Sequence, residues 1–102
     1  MNIKKSRYKD GKFNDDMLYA VNYRLALKDI PIVIDYETER YNEICIIKLA
    51  CKDYEKWLDQ PILNPKKELI QIIRDLFKEM YHKELIFNNT GTAFWMRNFK
   101  GD

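Results

Sequence analysis

Apolar residues recur along this chain with two different periods, and the switches between them predict its elements. Leu18, Val21 and Leu25 fall on one side of a 3.6-residue spiral, which predicts a helix ending near Lys28. Tyr19, Tyr23 and Arg24 lie nearer its edges. Asn14 stands at the cap position, and Asp15 and Asp16 stand in the first turn, where the helix dipole favours anions. Phe13 and Leu18 are spaced to close over that cap as a hydrophobic staple. Pro31 cannot continue a helix and pushes Ile30 toward an extended backbone.

The period then drops to two. Ile32–Tyr36 and Glu43–Leu49 are β-branched runs around a polar stretch, which predicts a hairpin. Ile32, Ile34 and Tyr36 would share one face of the first strand, with Val33 and Asp35 on the other. The second strand is apolar on both faces except at Lys48, the pattern of a central strand. A short helix over Asp53–Asp59, burying Tyr54, Trp57 and Leu58 and stopped by Pro61, is expected next.

The clearest helical period spans Pro65 to about His82. Leu69, Ile72, Ile73, Leu76, Phe77 and Met80 make one continuous stripe, with Asn64 expected as cap and Pro65 as first helical residue. Glu84–Phe87 and Thr92–Phe99 then read as strands around the turn cluster Asn88-Asn89-Thr90-Gly91. The order α-β-β-(α)-α-β-β predicts an α+β fold: one domain over residues 13–102, with an antiparallel sheet of about four strands and two main helices packed on one face. Residues 1–12 lack apolar periodicity and read as a flexible basic arm.

Composition adds the scale. With 102 residues and 46% hydrophobic content, the chain can bury a core, and no apolar run reaches membrane-spanning length. Residues 1–11 lack the apolar stretch of a secretory signal. Cys45 and Cys51 are expected as reduced thiols of a cytoplasmic protein. Lys, Ile, Asn and Tyr are abundant while Ala, Gly and Pro are few, the mark of an AT-rich genome such as a low-GC bacterium or its phages.

Charge changes the picture most. Lys4, Lys5, Arg7, Lys9 and Lys12 face only Asp10 in the arm. Asp29, Asp35, Glu37, Glu39, Glu43, Asp53, Glu55 and Asp59 outnumber Arg40, Lys48, Lys52 and Lys56 in the middle. Segregated charge steers association and selects partners. Asp35, Glu37 and Glu39 at alternate positions, with Glu43 beyond, are expected to form an exposed acidic edge that docks on a basic surface. Such a row of carboxylates imitates nucleic-acid phosphates. If exposed together, these acids contribute little to stability, and their reversal to lysine leaves the fold intact.

Two further surfaces are candidates. Phe94 and Met96 face one side of the last strand and Trp95, Arg97 and Phe99 the other. Trp95 with Arg97 has the composition of an interface hot spot. In the arm, Arg7-Tyr8-Lys9 among Lys4, Lys5 and Lys12 could neutralise phosphates while Tyr8 stacks on a base.

Catalysis finds little support. His82 sits at a helix end off the apolar stripe, glycines stand alone, and Cys45, Cys51 and His82 lack zinc-site spacing. A magnesium nuclease could use Asp35, Glu37 and Glu39, but the acid it needs two residues before Lys48 is Ile46. The expectation is a non-enzymatic protein-binding module without cofactor or metal: an inhibitor or regulator from a phage or mobile element that occupies a host or defence protein, in the manner of an anti-CRISPR. The alternative is a nucleic-acid-binding protein using the arm and exposed aromatics, and the third reading is the metal-dependent nuclease.

Overall fold

The helix caps and strand alternation place the elements where the sequence predicts most of them. A computed structural model of the chain describes residues 11–40, 43–51 and 57–98. Helix α1 spans Asp15–Leu27, and Asn14 caps it in extended conformation, its Oδ1 accepting from Met17 N at 2.8 Å. Strand β1 (Ile32–Tyr36) runs antiparallel to β2 (Cys45–Ala50), with a 3₁₀ turn over Thr38–Arg40 between them. β3 (Trp57–Pro61), helix α2 (Lys67–Tyr81), β4 (Lys83–Phe87) and β5 (Ala93–Asn98) complete the described fold. It is an α+β domain whose five strands are all antiparallel, in the order β1-β2-β5-β4, with β3 also on β2.

Two expectations are corrected. The helix proposed over residues 53–59 is not found at its described end: Trp57–Pro61 is strand β3, while Tyr54 lies outside the described residues. The reason is non-local. β5 pairs β2 only at Cys45 and Ile46, so the rest of that β2 edge would be open, and β3 fills it at Lys48 and Ala50 across a bulge. Asn64 is likewise not the cap of α2. It takes a left-handed φ of 55°, which Asn tolerates, and the helix begins after Lys66, whose side chain makes no cap bond.

Both helices pack on one face of the sheet. Leu18, Val21 and Leu25 of α1 and Ile73, Leu76 and Phe77 of α2 meet Ile32, Ile34, Cys45, Ile47, Leu85, Phe94 and Met96 in one cluster. Phe13, placed by the staple, reaches its centre: its ring meets Phe77 and Phe94 edge-on, each at 5.8 Å. Tyr81 donates to Met17 O at 3.3 Å and Arg24 lies 3.5 Å from Glu79, tying the helices side by side.

Each helix also closes a sheet edge. Ala50 N donates to Pro31 O and Glu37 N to Ile44 O, so the ladder leaves Ile34 with its N–H and C=O turned away from β2. Asn22 of α1 meets both, its Oδ1 accepting from Ile34 N at 2.7 Å and its Nδ2 donating to Ile34 O at 3.1 Å. At the opposite edge the N–H and C=O of Leu85 in β4 turn away from β5 by the same alternation, while its side chain stays in the core. Arg74 of α2 donates to Leu85 O at 2.9 Å while lying over the Phe87 ring. Side chains stand in for a missing strand at both ends.

The β4–β5 turn forms as its residues predict. Asn88 Oδ1 accepts from Thr92 N and Ala93 N, and Gly91 takes a φ of 75°. A Cβ at Gly91 would sit 2.9 Å from Ile70 Cδ1 and 3.2 Å from Pro65 Cγ, so the turn packs directly on the start of α2.

Candidate functional site

Strand alternation turns a second set of side chains to the face away from the helices. Val33 and Asp35 of β1, Ile44, Ile46 and Lys48 along β2, Ala93, Trp95 and Arg97 of β5, and Glu84 and Ile86 of β4 share it by register. Val33, Ile44 and Lys48 are buried, yet Val33 and Ile44 stand outside the main core cluster. Ile46, Ile86 and Trp95 are half-buried, with Trp95 directly opposite Ile86. Polar pairs stand on either side of these three. Arg97 Nε lies 3.1 Å from Glu84 Oε1, and Lys48 Nζ lies 2.9 Å from Asp35 Oδ2. The Arg97–Glu84 pair is over a third solvent-exposed on the Arg97 side, so it orders the arginine more than it stabilises the fold.

The structure separates the residues expected to form one acidic edge. β1 ends at Tyr36, so Asp35 alone of the row lies on the strand; Glu37 is half-buried beyond it and Glu39 is exposed on the 3₁₀ turn. Asp35 does not face solvent with the others. It is the partner of Lys48, whose side chain is only 11% exposed. Reversal of Asp35 therefore costs stability, contrary to the expectation from sequence. Glu37, Glu39 and Glu43 remain together as an acidic hairpin loop.

That loop and the aromatic strand come to the same part of the sheet. Cys45 pairs with Phe94, which puts Trp95 one residue from that pairing and Glu43 two residues from it. Two surfaces that looked independent in sequence are thus neighbours. Phe99 and the arm residues Lys4, Lys5, Arg7, Tyr8 and Lys9 lie outside the described residues, and Lys12 is exposed. Lys48 and Ile46 entered the sequence reading only as the polar exception of the second strand and the failing positions of the nuclease pattern, and Glu84 and Ile86 were not singled out as site residues. The hairpin register is the signal that would have found Lys48, since it sets that residue diagonally across from Asp35.

No protein-family model matches this chain, and no curated protein or solved structure matches it either. Among the described residues no three His, Cys, Asp or Glu side chains gather as a metal ligand set would. His82, in a left-handed conformation, closes α2 and is exposed. Burial, with the Asp35 charge adding to it, pushes the Cys45 thiol far above its ordinary range and keeps it protonated. A shallow cleft of about 200 Å³ runs between α2 and β4, lined by Gln71, Arg74, Asp75, Lys78, Lys83, Glu84 and Leu85. It is smaller than the roughly 300 Å³ at which ligand pockets begin. No described helix is long and apolar enough to cross a membrane.

Proposed function

We propose that this chain is a non-enzymatic protein-binding module, an inhibitor or regulator of phage or mobile-element type that occupies a basic surface of a host protein. One observation carries the reading: the half-buried Trp95, with Ile46 and Ile86, lies on the sheet face opposite the two described helices, beside the acidic loop of Glu37, Glu39 and Glu43. An indole set among aliphatic side chains, with ordered charge around it, has the make-up of an interface centre and rim. The loop supplies the negative field that steers a basic partner, and Trp95 supplies the contact that holds it.

The test is capture from host lysate by wild-type protein, repeated with Trp95→Ala and with Glu39→Lys/Glu43→Lys. A captured protein that binds at least about tenfold more weakly to both variants, at unchanged thermal midpoints, supports this surface. Equal binding by all three proteins refutes it. Retardation of DNA or RNA that weakens steeply with salt and disappears without residues 1–12 would instead favour nucleic-acid binding. Cleavage of either that depends on magnesium or manganese would favour the nuclease.

A further inference from the structure

The basic arm and the acidic loop are far apart in sequence, but the fold sets the root of one beside the other. Phe13 shows where the arm enters. Its ring lies 5.8 Å from that of Phe94, and Phe94 pairs with Cys45, which pairs with Tyr36. Phe13 therefore sits over the last row of the sheet before the hairpin loop. Glu37 follows that row by one residue and Glu43 precedes it by two, about 3 and 7 Å further along the strands. Gly11 is buried two residues before Phe13, so the arm joins the fold at the loop end of the sheet. α1 adds acids at the same end. Asn22 bonds to Ile34 and the connection from Leu27 to Ile32 is short, so α1 runs antiparallel to β1 and its first turn, with exposed Asp15 and Asp16, points toward the loop.

The charges around this entry do not cancel. Asp15, Asp16, Glu37, Glu39 and Glu43 stand against Lys12 at the root of the arm and Arg40 in the loop. The other charged groups nearby are engaged or lie to one side. Arg97 is held by Glu84, Arg24 by Glu79 and Lys48 by Asp35, while Lys78 and Lys83 belong to α2 and β4, toward the opposite edge of the sheet. Residues 1–10 lie outside the described residues, but their charge and reach follow from the covalent chain. Lys4, Lys5, Arg7 and Lys9 are opposed there only by Asp10. Lys4, the most remote of them, is seven residues from Gly11, so all four backbone positions stay within about 25 Å of it whatever course the chain takes. A tether this short presents its cations to the loop at an effective concentration on the order of millimolar.

We propose that the arm is an internal competitor for the acidic loop: Lys4, Lys5, Arg7 and Lys9 engage Glu37, Glu39 and Glu43 until a basic partner displaces them. The regulatory meaning of this contact rests on the loop being the docking surface proposed above; the contact itself does not. Occupation by the arm raises the threshold for binding. A weakly basic protein gains too little from the loop to displace a tethered rival, whereas a partner that also contacts Trp95 gains enough. Discrimination of this kind comes from a cost imposed on every partner alike and repaid only by the matching one.

Amide ¹H–¹⁵N spectra of the full chain test this, comparing wild type with Lys4→Gln/Lys5→Gln/Arg7→Gln/Lys9→Gln. At low salt the amides of Glu37, Glu39 and Glu43 are expected to differ between the two proteins, and the difference should vanish near about 1 M salt, where charges are screened beyond roughly 3 Å. Lys28→Gln/Lys66→Gln/Lys67→Gln removes three exposed cations from the far ends of both helices and should leave those amides where they are. Decalysine serves as the basic probe. The arm variant should bind it at least about threefold more tightly than wild type, the distal variant less than about 1.5-fold, and Glu39→Lys/Glu43→Lys added to the arm variant should remove the gain. The spectra need no partner, so they report on the arm even if capture of a host protein through the loop fails. Loop amides that are the same in wild type and the arm variant, or a gain in decalysine affinity equal in the arm and distal variants, would each overturn the proposal.

Discussion

Removing the amide of Asn22 should unzip one side of the sheet, although Asn22 belongs to a helix. Its two bonds to Ile34, at 2.7 and 3.1 Å, are part-buried and span twelve residues of chain. A net worth of about 0.5–1.5 kcal/mol per bond gives about 1–3 kcal/mol for Asn22→Ala. The upper end applies if the side chains around Ile34 keep water from its N–H and C=O, the lower if water replaces the amide. For a domain of this length, that loss lowers the thermal midpoint by roughly 5–15 °C.

Chemical denaturation of wild type, Asn22→Ala and Asn22→Asp provides the assay. The carboxylate of Asn22→Asp still accepts from Ile34 N but faces Ile34 O with no proton to donate, so at neutral pH it should be at least as unstable as the alanine variant. Once protonated, the same carboxyl can accept and donate as the amide does. Its deficit relative to wild type should therefore shrink as pH falls through the carboxyl range, while that of Asn22→Ala stays constant. The argument fails if Asn22→Ala lies within about 0.3 kcal/mol of wild type, or if both deficits change with pH in parallel.

Three further outcomes are expected. Asp35→Ala takes the carboxylate from a nearly buried lysine and should cost about 2–4 kcal/mol, most of it recovered in Asp35→Leu/Lys48→Met; purely additive denaturation midpoints would make the pair incidental. Gly91→Ala adds a Cβ at positive φ and 2.9 Å from Ile70 Cδ1, so thermal unfolding should show a loss of about 1–2 kcal/mol, and a neutral result would mean that the turn shifts freely. Cys45 and Tyr81 both have raised pKa values, mainly through burial, so they hold their protons when folded while the unfolded chain ionises from about 9.0 and 10.0. Stability from these groups is complete below pH 9 and declines above it; alkaline denaturation should show this, and titration of native thiols should find Cys51 reactive and Cys45 silent.

What the sequence made legible is what neighbouring residues settle among themselves. The Asn14 cap, the stripe from Leu69 to Met80 and the Asn88–Gly91 turn each rest on contacts within a few positions, and each stands as expected. Trp57–Pro61 carries no comparable local preference. It becomes a strand because β2 has half an edge left over, a fact that depends on where β5 docks. Asp35 misleads for the same reason. Its spacing from Glu37 and Glu39 is visible in sequence, but its pairing with Lys48 belongs to the hairpin register. Of the candidate surface, Trp95 and Arg97 were legible from alternation. Their nearness to the acidic loop was not, since it follows from the pairing of Cys45 with Phe94.

α1 shows how these levels constrain one another. Its inner side fills the core, and on another side Asn22 closes the β1 edge at Ile34, which leaves Tyr19, Tyr23 and Leu27 on a side with no work inside the fold. Had β1 kept an open edge, strand-to-strand pairing would be the expected route to self-association. With Ile34 engaged, that route is opposed by a part-buried pair of hydrogen bonds. Asn22→Ala should therefore free a strand edge and promote open-ended aggregation. Light scattering against wild type at equal concentration checks this, and an Asn22→Ala variant that scatters as wild type does would break this account of the β1 edge.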